Sequence, residues 1–230
     1  MQHTDRRALL RHAGLGLAAA GGGLVLSASA RATPAVARAD GESLVEVRMG
    51  ALSSDKASGE LRRAAPFSYG PFYKAGAPFR GKLSAPGEPG TAFVLSGRVW
   101  ALDTRLPLAG AVLEVWHVDN KEKYSDGVKD LRNRGRLLSS EDGSYELECV
   151  RPIPYRPNAS SSPASWRCAH FHLLAHAPGY APLVTEIHFE GDAHADDPMY
   201  EPRNAIAVVA RSVNGYAFES GTFDVVLARE

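Results

Sequence analysis

Residues 164–176, with the sequence ASWRCAHFHLLAH, place Arg167, His170 and His172 in a run that is otherwise largely apolar. Successive side chains of a β-strand point to opposite faces, so His170 and His172 share one face while Phe171 occupies the other. Such a pair is a ready-made chelate with two nitrogen donors. Two histidines that merely fill a core or lie on a surface show the same spacing, so the pair alone does not establish a metal site.

Short segments of strand-forming residues continue in both directions from this stretch, with turn residues between them. The segments that precede it are 93–100, 111–116 and 144–150, and those that follow are 183–189, 205–210 and 221–227. Outside the N-terminal region no segment has a helical period. Many short strands without strand–helix alternation predict an all-β fold, an antiparallel β-sandwich.

The first 32 residues are typical of a bacterial export signal. Arg6 and Arg7 precede a weakly apolar stretch over 13–30, and Ala30-Arg31-Ala32 offers a small-residue cleavage site. Glycines diluting the stretch argue against an uncleaved membrane anchor. We therefore predict a twin-arginine signal, a periplasmic or extracellular location, and no stable membrane insertion after cleavage.

Charge and composition bear on the class of partner. The 230-residue chain has 26 basic and 26 acidic residues, which gives no support for a nucleic-acid or membrane-surface partner. Cleavage after Ala32 would remove four arginines and one aspartate, leaving 22 basic and 25 acidic residues. The mature protein is then mildly acidic.

The predicted signal, residues 1–32, is followed by a predicted linker or arm over 33–63 that is rich in alanine and charge. Residues 64–230 form the predicted sandwich domain, whose N-terminal part is loop-rich because glycine and proline recur up to residue 91. The two cysteines, Cys149 and Cys168, are equally compatible with a disulfide and with two buried free thiols.

Two tyrosines in predicted loops stand out as oxygen donors. Tyr124 follows the 111–116 strand, and Tyr155 lies in the proline-rich segment 151–157. A phenol that caps a loop explains either tyrosine alone. The ordered set of two tyrosines, then Arg167, His170 and His172, is harder to explain in that way.

This set resembles the intradiol ring-cleavage dioxygenases, in particular the iron-bearing subunit of protocatechuate 3,4-dioxygenase, over about residues 70–202. The specific part is Trp166-Arg167-Cys168-Ala169-His170-Phe171-His172, which is similar to the family's W-R-P-A-H-I-H signature. Other matches are weaker: Gly70-Pro71-Phe72-Tyr73, Gly97-Arg98-Val99, Pro107-Leu108-Ala109-Gly110-Ala111, Glu114-Val115-Trp116, Ser139-Ser140-Glu141-Asp142-Gly143-Ser144-Tyr145 and Thr185-Glu186-Ile187-His188-Phe189-Glu190-Gly191-Asp192.

The resemblance implies a mononuclear non-haem Fe(III) held by four side chains and a solvent hydroxide: Tyr124, Tyr155, His170 and His172. Phenolates are hard anionic donors that suit a hard trivalent ion, and imidazoles complete a mixed nitrogen and oxygen shell. Because the ordinary pKa of tyrosine is about 10, a phenolate at neutral pH needs a strong positive charge beside it.

The resemblance also implies the reaction, in which O₂ cleaves a catechol-type diol between its two hydroxyl-bearing carbons to give a muconate-type product. Tyr155 would leave the metal and accept a substrate proton, while Arg167 would stabilise developing negative charge. Glu186 stands where the family usually has glutamine, so it either pairs with Arg167 or is protonated and donates. Any homo-oligomer would assemble through the sandwich or the N-terminal arm.

Two alternatives from other classes remain open. A transthyretin-like β-sandwich binding module would share the strands but has no need for the two tyrosines and two histidines together. A metallohydrolase built on the H-x-H pair would need a further carboxylate or histidine at the metal and no phenolates.

Overall fold

A computed structural model describes residues 57–157 and 165–230 of the chain. The predicted export signal and most of the predicted linker lie outside these residues. The described part contains ten strands: β1 (Ala92–Ala101), β2 (Val112–Trp116), β3 (Arg134–Leu138), β4 (Ser144–Val150), β5 (His170–His176), β6 (Leu183–Phe189), β7 (Ala205–Ile206), β8 (Val209–Val213), β9 (Tyr216–Thr222) and β10 (Val225–Leu227). A short 3₁₀ helix over Pro202–Asn204 is the one helix that interrupts them in these residues.

The strands form two five-stranded sheets. One sheet has the order β3-β2-β5-β6-β7, and the other has the order β10-β1-β9-β8 with β4 on the second side of β1. Their inner faces pack together through aromatic side chains: the ring of Phe93 on β1 lies 5.7 Å from that of Phe171 on β5 and 5.6 Å from that of Phe189 on β6. The all-β sandwich predicted from the sequence is therefore confirmed.

The sheets are mixed and not purely antiparallel. β1 pairs in parallel with both β9 and β10, and β6 pairs in parallel with β7. The predicted single strand over 221–227 is broken because its middle residues, Phe223 and Asp224, bond to β1 between the two pairings: the Phe223 N–H donates to the Ser96 carbonyl at 2.8 Å, and the Arg98 N–H donates to the Asp224 carboxylate at 2.9 Å. The predicted strand over 205–210 is also divided in the structure, because β7 belongs to one sheet and β8 belongs to the other.

The sequence pattern did not predict residues 216–220 of β9, and it did not predict β3 at all. Its sequence, RGRLL, carries two arginines and a glycine, residue types that are not enriched in strands. It pairs with β2 from Val112↔Leu138 to Trp116↔Arg134 at the edge of its sheet. Tertiary pairing, and not local propensity, forms this strand.

The two cysteines are free thiols, and both are buried. Of the two possibilities for these cysteines, the structure has two free thiols and no Cys149–Cys168 disulfide. Across the residues that the structure describes, no helix is long and apolar enough to cross a bilayer.

Candidate metal centre

Strand register brings the candidate residues together on the outer face of the β3-β2-β5-β6-β7 sheet. Along β5, Phe171 and Leu173 join the core between the sheets, so His170 and His172 face the other way. His172 lies opposite Trp116 of β2 on one side and opposite Glu186 of β6 on the other. Residues directly opposite each other in an antiparallel pair share a face, which places Glu186 beside the histidines.

Three donor atoms converge above this face. The phenol oxygen of Tyr124 lies 3.1 Å from Nε2 of His172 and 3.4 Å from Nε2 of His170, and the two Nε2 atoms are 3.3 Å apart. These separations suit donors that share one ion with bonds of about 2 Å. Tyr155 lies beside them, with its ring 5.5 Å from that of Tyr124 and 5.7 Å from that of His170.

Tyr124 is held by its loop and by an aromatic contact. Its ring stacks on Phe72 with centroids 4.2 Å apart and planes 7° from parallel. The guanidinium of Arg134, a residue only 2% exposed, donates to the side chain and the carbonyl of the neighbouring Ser125, both at 2.8 Å. The loop between β2 and β3 therefore presents the phenol in one defined position.

Tyr155 is tied to the segment that precedes β5. The N–H of Tyr155 donates to the carbonyl of Arg167 at 3.1 Å, and the N–H of Arg167 donates to the carbonyl of Tyr155 at 2.8 Å. Residues in such a two-way bridge carry their side chains on the same side. The bridge thus places the second phenol next to the guanidinium that the sequence pattern had singled out.

Arg167 lies between two carboxylates. Its Nη2 donates to Oε2 of Glu186 at 2.7 Å, and its Nε donates to Oδ2 of Asp197 at 2.9 Å. Glu186 is thus in contact with Arg167, and burial raises the pKa of Glu186 to about 7 against the lowering effect of the Arg167 charge. The same Asp197 oxygen accepts the N–H of Cys168 at 3.0 Å, so it also fixes the turn into β5.

Burial dominates the electrostatics of the donors. It lowers the pKa of His172 to about 3, with the nearby Arg167 charge adding to the effect. Burial also lowers the pKa of His170 well below its ordinary value, and the electrostatic effect of His172 is the second cause. Both imidazoles are therefore neutral at pH 7 and have a lone pair available. Burial raises the pKa of Tyr124 well above its ordinary value, so its ionisation requires a cation.

The donor set fits a metal ion. Nδ1 of His170 lies 2.7 Å from the carbonyl of Cys168, which leaves its Nε2 free to face the other donors. Glu186 joins the two histidines in a group whose donor atoms all lie within 4.8 Å of one another. Neutral imidazoles, phenols and a carboxylate form a mixed nitrogen and oxygen set of the kind that binds iron.

The contacts of several residues around the site could not be recognised from the sequence. Trp116 stacks on His172, with ring centroids 4.9 Å apart and planes 6° from parallel. His188 lies opposite His170, and its Nδ1 is 3.1 Å from the thiol of Cys168. Asp197, which holds Arg167 and the N–H of Cys168, is not part of any motif in the sequence. Strand spacing could have indicated His188, which is two residues after Glu186, but nothing local indicates the contacts of Asp197.

Arg156, the residue after Tyr155, is engaged at the surface. Its Nε lies 3.5 Å from Oε2 of Glu122, and its guanidinium lies 4.9 Å from the ring centre of Trp166. Trp166 in turn stacks on His194 at 4.6 Å. These contacts make Arg156 a surface loop arginine whose partners are Glu122 and Trp166.

Comparison with known proteins adds to this geometry. A family model described as "Dioxygenase" (Dioxygenase_C) matches residues 69–229. A chlorocatechol 1,2-dioxygenase of Rhodococcus opacus is 40% identical over 147 residues, which are 55% of this chain and 56% of that protein. The chain spans little more than half the length of the curated relatives that it matches.

The fold has close counterparts among solved structures. The crystal structure of 3-chlorocatechol 1,2-dioxygenase from Rhodococcus opacus 1CP matches with a TM-score of 0.67 at 21% identity, over 75% of each chain. The dioxygenase domain of a dioxygenase carbohydrate-binding protein fusion from Streptomyces sp. SirexAA-E matches with a TM-score of 0.61 at 28% identity. That match covers 74% of this chain and 100% of the solved domain.

Proposed function

Since the chain belongs to the dioxygenase family, we propose that it is an intradiol dioxygenase that uses O₂ to cleave catechol-type diols between their two hydroxyl-bearing carbons. The observation that carries the proposal is the convergence of Tyr124, His170 and His172, with donor atoms 3.1–3.4 Å apart. The names of the relatives support a catechol, including chlorinated ones, as the class of substrate.

Mononuclear Fe(III) is the proposed metal, with Tyr124, Tyr155, His170 and His172 as its ligands. Two phenolates and one hydroxide would balance the charge of a trivalent ion. When bound, the iron would hold the deprotonated catechol and make its ring carbon reactive toward O₂. Zinc is more often bound by histidine together with carboxylate or cysteine, so the phenols favour iron.

The side chains have distinct proposed roles. Tyr124 is stacked on Phe72, whereas Tyr155 is bridged to Arg167 through its main chain and its ring contacts Tyr124 and His170. By resemblance to the intradiol dioxygenases, Tyr155 is the donor proposed to leave the metal and to accept a substrate hydroxyl proton. Arg167 places a guanidinium beside the donors, where it stabilises negative charge that develops during ring cleavage.

The decisive experiment combines spectroscopy with product analysis. Purified protein loaded with ferric iron should show a visible tyrosinate-to-iron charge-transfer band that shifts when catechol is added without oxygen. With ¹⁸O₂, the ring-opened diacid should contain both labelled atoms. Tyr124→Phe should remove most of the band and the activity, whereas Tyr216→Phe, a change at an exposed tyrosine on β9, should change neither.

The same experiment separates the two alternatives. A transthyretin-like binding module would remain colourless after ferric loading. The metallohydrolase alternative has the donors that it needs in His170, His172 and Glu186, and it would keep its metal affinity in Tyr124→Phe. Either result would contradict the proposed dioxygenase.

We also propose export through the twin-arginine route, which carries folded proteins and so suits insertion of the metal before export. The support is the pair Arg6 and Arg7 followed by a weakly apolar stretch. In a bacterial host, the full chain should reach the periplasm or medium with its N-terminus near residue 33. Changing both arginines to lysine should retain it in the cytoplasm, and continued export of that variant would refute the proposal.

A further inference from the structure

One nitrogen of His172 is unaccounted for. Its Nε2 faces Tyr124, but its Nδ1 is buried and has no hydrogen-bond partner among residues 57–157 and 165–230. The equivalent Nδ1 of His170 is paired with the carbonyl of Cys168. A buried polar atom without a partner destabilises the fold. The polar groups nearest to this nitrogen therefore indicate which acceptor it would bond to.

Glu186 is the acceptor positioned for this nitrogen. Its Oε1 lies 3.5 Å from Nδ1 of His172, while its Oε2 is held by Arg167 at 2.7 Å. A hydrogen bond of normal length needs a movement of only about 0.5 Å. Because His172 and Glu186 are directly paired across β5 and β6, the contact is fixed by strand register and does not depend on a loop.

Metal-binding histidines generally donate their second ring N–H to a carboxylate or carbonyl, which fixes the tautomer and raises the basicity of the ligating nitrogen. We infer that Glu186 is this outer carboxylate: it accepts the Nδ1–H of His172 with one oxygen and holds Arg167 with the other. Glu186 is therefore a positioning residue that acts through a metal ligand and through the guanidinium.

The carboxylate has two consequences that the family's usual glutamine would not have. A carboxylate offers one oxygen to each of its two donors, whereas an amide has a single oxygen for both. When ionised, it also adds a negative charge beside His172, which favours Fe(III) over Fe(II). This second consequence rests on the proposed function, but the tautomer of His172 does not.

The tautomer can be measured in the metal-free protein. In ¹⁵N-histidine-labelled protein at pH 7, long-range ¹H–¹⁵N correlations should show His172 as the Nδ1–H tautomer. Glu186→Leu should shift the tautomer away from Nδ1–H, while His170, paired with the Cys168 carbonyl, should keep its tautomer and serve as the internal control. An Nε2–H tautomer in the wild type, or an unchanged His172 in the Leu variant, would overturn the inference.

The charge can be tested in the iron-loaded protein. Glu186→Gln should shift the relative affinity toward Fe(II) by at least tenfold, which is about 59 mV in potential for one electron. Glu190→Gln, which changes an exposed carboxylate just after the same strand, should leave the potential unchanged. Equal potentials in wild type and Glu186→Gln would refute the charge effect.

The two proposals can fail separately. A wild-type protein without a ferric charge-transfer band would refute the dioxygenase site and leave the metal-free tautomer measurement in force. Full dioxygenase activity with an Nε2–H tautomer at His172 would refute the role of Glu186 and leave the proposed function standing. If Glu186→Leu does not fold, the wild-type tautomer and the potential of Glu186→Gln still decide the matter.

Discussion

The main chains of Tyr155 and Arg167 exchange two hydrogen bonds, of 3.1 and 2.8 Å. This bridge joins the loop after β4 to the segment before β5, so a phenol and a guanidinium that are twelve positions apart occupy one side of the site. The arrangement links the proposed base to the proposed stabilising cation through two main-chain hydrogen bonds. It also makes the ion pairs of Arg167 part of the support of the site.

Arg167→Ala should destabilise the protein strongly. The change leaves Glu186 and Asp197 buried without their shared cation, and removal of one partner from a buried pair costs about 3–5 kcal/mol. Urea denaturation should show this loss in the free energy of unfolding. Arg132→Ala breaks an exposed pair with Asp130 and should cost at most about 1 kcal/mol. Similar losses in the two variants would contradict the buried network.

Arg134→Lys should weaken metal binding without unfolding the chain. A lysine cannot reproduce the two hydrogen bonds that the guanidinium donates to Ser125, so the loop that presents Tyr124 loses its anchor. Loss of such outer contacts typically costs 10–100-fold in metal affinity. Competition with a chelator measures it, and Arg98→Lys on the other sheet provides the control. Unchanged affinity in Arg134→Lys would show that Phe72 alone positions the phenol.

Asp142→Asn should reduce stability at pH 7 but not in acid. Burial opposes ionisation of Asp142, but hydrogen bonds from Ser144 and the nearby charge of Arg98 hold its pKa below the ordinary value. A lowered pKa contributes stability that is present above the unfolded-state value and is lost as pH falls through the folded-state value. The two proteins should differ by about 1 kcal/mol at pH 7, and the difference should disappear as the pH falls below the lowered pKa of Asp142 in the folded protein. A difference that is the same at every pH would exclude a charge effect.

Gly97→Ala should be among the most damaging single changes in the sandwich. An added Cβ would lie 1.9 Å from the carbonyl oxygen of Phe223, and this backbone atom is fixed between the pairings of β9 and β10 with β1. We expect little soluble folded protein by circular dichroism. Gly59→Ala, where no atom of the described residues apart from Gly59 itself and its two chain neighbours lies within 4 Å of the added Cβ, should fold normally. A folded Gly97→Ala protein would show that β1 and Phe223 can separate.

Cys149 and Cys168 should react with thiol reagents only after unfolding. Both are buried, and burial raises the pKa of each thiol above its ordinary value, so little thiolate is present at neutral pH. The native protein should show almost no thiols by titration with a disulfide reagent, and the denatured protein should show two. A reducing agent should leave the melting temperature unchanged, and a decrease would indicate a disulfide.

The sequence pattern predicts those parts of the molecule that depend on local spacing. Alternation around Phe171 is sufficient to place His170 and His172 on one face, and the signature around them indicates Arg167. β3 could not be predicted in this way, because two arginines and a glycine form a strand only through pairing with β2. The crossing between sheets after Ile206 is likewise set by partners distant in sequence.

Around the donor atoms, too, residues in a sequence motif could be recognised, but contacts between distant segments could not. Glu186 was recognised from its place in a motif, but its two contacts depend on the pairing of β5 with β6. Asp197 and Arg134 hold Arg167 and the Tyr124 loop, respectively, and each belongs to a segment with no distinctive local pattern. Their roles arise only when the chain is folded, since each bonds to a group supplied by another segment of the chain.

Strand β5 offers protein engineers two interleaved sets of positions. Phe171, Leu173 and Ala175 face the interior between the sheets, whereas His170 and His172 face the proposed chemistry. Mutations that increase heat tolerance can therefore be sought at the first set while the second is left intact, and libraries that alter substrate range can do the reverse. Neighbouring codons in one short gene segment could thus be selected separately, some for heat tolerance and others for substrate range.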